Sequence, residues 1–138
     1  MTPRLASLAA GLFLLAACAE DAPPTPLTDE ERLTLPPDLE MGQRLFRQCG
    51  VCHDAEAGLP HRVGPNLHGV VGAEAGRHAD FAYSRALQRS ELVWNEETLS
   101  AYLEDPRAVI PGGRMAYGGM PSEADRRDLI AYLKTKGE

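Results

Sequence analysis

No internal repeat runs through the 138 residues, which excludes a solenoid, a propeller or any other stacked array. After the first seventeen residues there is no apolar run long enough to cross a bilayer. Strand–helix–strand alternation is also missing, so a Cys-x-x-Cys pair lacks the setting in which it works as a thioredoxin-like dithiol. Cysteines number only three: Cys18, Cys49 and Cys52. A tetrahedral zinc site needs a second pair of ligands at short spacing, and His61, His68 and His78 are too scattered to supply it. Basic excess is lacking as well. The chain has a formal charge of −6, yet from Met41 to Glu138 there are 13 acidic and 12 basic residues, so most of the acidity precedes that point. The near-neutral remainder gives no reason to expect a nucleic-acid partner.

What is present begins with "MTPRLASLAAGLFLLAAC", a basic residue, a short apolar run and a cysteine. Residues 1–17 read as an export signal, lipoprotein in type. The tail "LAAC" resembles a bacterial lipobox, which implies a lipid on Cys18 and a chain anchored to a membrane facing the periplasm. Ordinary Ala-x-Ala cleavage near Cys18 is the other reading of the same stretch. Residues 18–39, "CAEDAPPTPLTDEERLTLPPDL", pair prolines with acidic clusters and are expected to form a flexible linker that holds no long helix. Residues 40–138 form one small domain, whose own core would be marginal without something bound inside it.

With Cys18 lipidated, one cysteine pair remains, in "CGVCH", Cys49 to His53. The adjoining histidine selects among the readings of such a pair. Two thioether bonds fix a haem, and the next residue gives its imidazole to the iron. One haem c, held through Cys49 and Cys52 with His53 as a ligand, is therefore expected.

Apolar spacing predicts an all-α fold of helices and long loops. Asp38 can cap a helix bearing Gly42, Leu45, Phe46 and Cys49 on one side. Asn95 precedes "EETLSAYLED", which Pro106 stops, and Ser122 with Asp125 opens "EADRRDLIAYLKTKG". A short helix is expected from about Tyr83 to Arg89. The long loop over 54–82 suits a chain wrapped around a flat cofactor.

Taken in order, "CGVCH", "GPNLHG", "WNEETLSAYLEDP", "IPGGRM" and "DLIAYLK" resemble mitochondrial-type, class I cytochrome c from about Gly42 to the end. The resemblance implies that Met115, closing the Pro-Gly-x-x-Met turn, is the second iron ligand, while Met120 only packs. It implies that the Pro65 carbonyl fixes the His53 ring. Tyr83, Trp94 and Tyr102 would stand around the haem, the first two reaching a propionate, and Gly42 and Phe46 would cross Leu129 and Tyr132. Two positions depart from the family: Ala73 stands where an arginine usually binds a propionate, with Arg77 nearby, and Leu87 where an asparagine usually lines a buried water site. Docking through the haem edge would fall to Arg44, Arg47, Arg62, Arg107 and Arg114, balanced by acidic residues such as Glu96, Glu97, Asp125 and Asp128 elsewhere.

With both axial places filled, no catalytic group is expected and the chain reads as a carrier, not an enzyme. The expected role is a membrane-tethered, monomeric one-electron carrier from a quinol-oxidising complex to a terminal oxidase or a reaction centre. A fixed haem subunit of a larger respiratory complex, or a haem protein that binds peroxide or a gas, are the alternatives.

Overall fold

A computed structural model describes residues 25–137. Among these, six helices follow in order: α1 Asp29–Leu33, α2 Leu39–Cys49, α3 Arg85–Gln88, α4 Glu96–Glu104, α5 Pro106–Val109 and α6 Glu123–Thr135. No strand is present among the described residues, only an isolated bridge between Glu74 and Val93. The signal, Cys18 and the first part of the proline-rich stretch lie outside the described residues.

Side-chain oxygens start the helices by accepting otherwise unpartnered N–H groups. Asp38 accepts from Met41 N at 2.9 Å, Asn95 from Thr98 N at 2.8 Å and Ser122 from Asp125 N at 3.0 Å. Pro106 ends α4 and opens α5 at its first position, where a missing N–H costs nothing, and Asp105 caps the new turn. The short helix expected over Tyr83–Arg89 is narrower, spanning Arg85–Gln88, because Ser84 caps it through Leu87 N.

The core sits where α2 and α4 each pack on α6, with Leu99, Leu103, Leu129, Ile130 and Leu133 buried together with Val70, Trp94 and Met120. Here α2 crosses α6 at Gly42: a Cβ at that position would lie 2.7 Å from the Tyr132 Cβ and would overlap the Asp128 carbonyl. Phe46 packs on Tyr132 one turn later, the rings tilted with centroids 5.6 Å apart. Glycine here is a packing requirement that outweighs its poor helix propensity. Gly42→Ala should therefore destabilise the haem-loaded protein by about 2 kcal/mol, the overpacking range for a well-filled contact. Denaturant midpoints would show it, and an unchanged midpoint would mean the crossing yields.

Two expectations meet a different structure. Residues 25–39 do not run as a free linker, since Thr28 and Glu31 make a reciprocal capping box and α1 docks on α6. Flanking prolines favour a linker while the Thr28–Glu31 cap favours a helix, and the docking contacts are long-range pairs that no local pattern displays. Asp128, grouped above with surface acids, is fully buried, because its carboxylate is taken up by Arg32, Arg127 and the Asp38 N–H.

Candidate functional site

Helix α2 delivers Cys49 as its last residue, and the chain then turns tightly: Cys52 N and His53 N both donate to the Cys49 carbonyl, at 3.0 and 2.9 Å. This turn presents both thiols and the imidazole from one short segment. The two thiols are not bonded to each other. Burial pushes the Cys49 thiol up to about 11, the reverse of the activated cysteine that dithiol redox chemistry needs.

Behind the turn lies the loop carrying Gly64 and Pro65. Gly64 N donates to the Cys52 carbonyl at 2.8 Å, and a Cβ at Gly64 would overlap the His53 ring. His53 Nδ1 stands 2.7 Å from the Pro65 carbonyl and donates to it, which sets the ring tautomer and leaves Nε2 as the lone-pair nitrogen. Burial pushes the His53 pKa down, only partly opposed by that hydrogen bond, so the ring is held neutral, as a ligand must be.

The second group of residues is built on α4 and α5. Ile110 ends α5, Gly113 N donates back to the Ile110 carbonyl at 2.9 Å, and Gly112 takes φ 86°, where a side chain would be strained. Met115 follows, half-buried. The Tyr102 hydroxyl donates to its Sδ at 3.5 Å, and Tyr102 packs on buried Trp94 with ring centroids 4.8 Å apart. Met120 is 5 % exposed and belongs to the core, its N–H held by the Leu103 carbonyl. Tyr83 stands in another group, against Phe81 at 4.8 Å.

Polar bookkeeping inside this region leaves one group over. The Tyr117 hydroxyl, two residues after Met115, is buried with no hydrogen-bond partner in the protein. Orphaned hydroxyls are rare in protein interiors, and this one, near enough to the Cys49 thiol to feel its charge, fits a prosthetic group placed there. No sequence signal singled out Tyr117, since its role lies in what it fails to touch.

The loop over 54–82 brings His61 and His78 together, ring centroids 4.6 Å apart, with Asp80 3.1 Å from His61 Nε2. Spacing had put these histidines too far apart for a metal. The three ligand atoms now lie within 4.8 Å of one another, but their hydrogen-bond polarity argues against a cation. Asn66 N donates to His61 Nδ1 at 2.9 Å, so the ring proton is on Nε2, facing Asp80. A metal-bound histidine does the opposite, donating from its outer nitrogen. The cluster staples the loop instead, helped by buried Asn66, whose amide donates to the Glu56 and Leu59 carbonyls at 2.8 Å each. Arg77 does not reach inward from beside Ala73; it donates to the His68 and Gly69 carbonyls. Leu87 packs against the core.

The five arginines differ in how firmly they are held. Arg62 donates to the Gly50 carbonyl at 2.6 Å and Arg114 to that of Ala82, which fixes both near the site loops. Arg44 lies 3.8 Å from both Asp38 and Glu40. Arg47 and Arg107 are exposed.

Comparison with known proteins agrees with this geometry. The Cytochrome c family model matches residues 39–136. Cytochrome c of Kluyveromyces lactis is 46 % identical over 93 residues, 67 % of this chain and 84 % of that one. Cytochrome c2 of Rhodomicrobium vannielii is 43 % identical over 95 residues, 69 % and 76 % of the two chains. The structure of cytochrome cH from Methylobacterium extorquens superposes with a TM-score of 0.67 at 43 % identity, covering 72 % of this chain and 99 % of that one. The chain belongs to the cytochrome c family, with the small all-α class I fold, and it carries one haem c attached through Cys49 and Cys52 to work as a haem electron carrier.

Proposed function

We propose that the protein is a membrane-tethered carrier moving single electrons in the periplasm from a quinol-oxidising complex to a terminal oxidase or a reaction centre. The observation that supports it most is the pairing of two prepared ligands: His53, oriented by Pro65, and Met115, oriented by Tyr102. The haem supplies the ferrous–ferric couple. His53 would contribute a neutral imidazole, its ring held by the hydrogen bond to the Pro65 carbonyl. Met115 contributes a polarizable, uncharged sulfur, which favours the ferrous state and raises the potential. With both places taken, the iron would have no open position for a substrate, and the Gly112 backbone at φ 86° would let the turn bring Met115 up to the haem.

Tethering rests on Cys18 and its apolar leader. No helix among the described residues is long and apolar enough to cross a membrane. A lipid on Cys18 would supply attachment, and attachment raises the effective concentration at membrane partners without a strongly basic surface. Docking would use Arg44, Arg47, Arg62, Arg107 and Arg114. Electron-transfer rates to an acidic partner should then fall several-fold between about 10 and 200 mM salt, as exposed charges are screened. A rate indifferent to ionic strength would remove the arginines from the docking face.

Reconstitution tests the role directly. Membranes containing quinol oxidation and oxidase activities but stripped of c-type carriers should regain oxygen uptake when the full chain is added. The Cys18→Ser chain should remain in the soluble fraction and restore far less at equal bulk concentration. Fixed-stoichiometry co-purification with the oxidase in mild detergent would instead make the protein a subunit, and failure to be reduced by the quinol-oxidising complex would overturn the reading.

A further inference from the structure

The contacts of α1 are of one kind. No residue of this five-residue helix is buried, and Leu27, Leu33 and Leu35 around it stay 53 %, 37 % and 51 % exposed. Polar groups hold it to the start of α6. Arg32 reaches Asp125 at 2.6 Å and Asp128 at 2.8 Å through its two terminal nitrogens. Ser122 donates to Asp29 at 2.7 Å while capping α6. From the other side, Arg127 donates to the Arg32 and Leu35 carbonyls at 3.0 and 2.9 Å, and Asp38 N closes the segment on Asp128 at 3.1 Å. A helix of one and a half turns does not persist alone in water, so helicity and docking stand or fall together. The segment also precedes residues 39–136, the part of the chain that the family model matches.

We propose that residues 28–38 are a polar latch that sets the reach of the tether. Closed, the latch leaves about nine residues between Cys18 and Thr28, a span of at most ~30 Å even when fully drawn out. Open, about twenty residues separate Cys18 from the haem domain, and the limit rises to roughly 65 Å. The Arg32 guanidinium supplies both charged contacts that run from the segment's side chains to α6, so its loss removes the strongest of the bonds that hold the latch closed. The closed state keeps the domain near the bilayer surface, and the open state extends it to a partner site further out. This consequence rests on the lipid-anchor reading; the docking of the latch does not.

Hydrogen exchange on the haem-loaded full chain, followed by mass spectrometry, tests the latch itself. Peptides covering 28–36 should exchange at least tenfold more slowly than an unstructured segment. In Arg32→Gln, and separately in Leu33→Pro, which breaks the helix without touching Asp125 or Asp128, that protection should vanish while the sulfur-to-iron band of the haem stays. Exchange at free-peptide rates in the native chain would overturn the latch. Reach is read by energy transfer to the haem from a dye on the head groups of phosphatidylethanolamine–phosphatidylglycerol vesicles. Transfer should drop severalfold in both variants, and equal transfer in vesicle-bound native and released chains would overturn the control of reach. A lipidated chain that leaves the vesicles altogether would refute the anchor, and the exchange result would still decide the latch.

Discussion

Met115→Ala is expected to lower the reduction potential by a few tenths of a volt, part of the roughly 0.8 V over which axial ligands set haem potentials. The same change should abolish the weak red sulfur-to-iron band and allow carbon monoxide to bind the ferrous protein. The cause is the change of ligand chemistry: a soft neutral sulfur stabilises the ferrous state, whereas water in its place is a hard oxygen donor that favours ferric iron. The scaffold should survive, because Met115 is only half-buried and stands on a loop. Met120→Ala gives the contrasting pattern. It removes a side chain 5 % exposed among Leu103 and its neighbours, so it should cost about 2–5 kcal/mol of stability and leave the band in place. Redox titration, optical spectra and denaturation of both variants separate the two methionines. The assignment would fail if the band survived in Met115→Ala and disappeared in Met120→Ala.

The difference between those methionines shows how much the sequence could reveal. Thioether attachment needs two cysteines and a histidine on one short turn, so that half of the site is contiguous and readable from "CGVCH" alone. Met115 lies some sixty residues further on, in a glycine-rich loop where spacing cannot tell a ligand from a gap-filler. Its proposed role as the second ligand comes only from the family resemblance. Helix starts were readable because capping is local: Asp38, Asn95 and Ser122 each accept an N–H three residues on. The same locality made the Thr28–Glu31 box visible in principle, but the prolines on both sides of it argued for a linker.

Long-range polar contacts were the part that local pattern could not show. Asp128 and Arg126 stand in a helix whose charged residues suggest a solvated face, yet both are buried. Arg126 donates to the Met120 and Pro121 carbonyls at 2.8 and 2.7 Å, tying the loop after Met115 to α6. His61 and His78, seventeen positions apart, meet only because Asn66 folds the loop between them. In each case the side chain serves a polar partner outside its own helix or turn, and hydrophobic periodicity carries no record of that.

Asp128→Asn is expected to destabilise the protein by about 3 kcal/mol, the low end for breaking a buried ion pair. Its carboxylate is 1 % exposed and receives Arg32 at 2.8 Å, Arg127 at 2.8 Å and Asp38 N at 3.1 Å. The two guanidinium groups keep 19 % and 23 % exposure, so water partly compensates them when the partner charge is lost, which is why the low end applies. Burial by itself pushes the Asp128 pKa up, but the hydrogen bonds from Arg127, Arg32 and Asp38 N–H outweigh it and hold the carboxyl below its ordinary 3.8. A depressed folded-state pKa means that the unfolded chain takes up the proton first as pH falls. The stabilisation from Asp128 is therefore complete well above pH 3.8 and disappears as pH falls below it towards the folded-state value. Stability curves of the native and Asp128→Asn proteins should run parallel at neutral pH, separated by the full cost, and converge in acid. Curves that stayed parallel down to the acid transition would mean that the loss comes from packing and not from the buried charge.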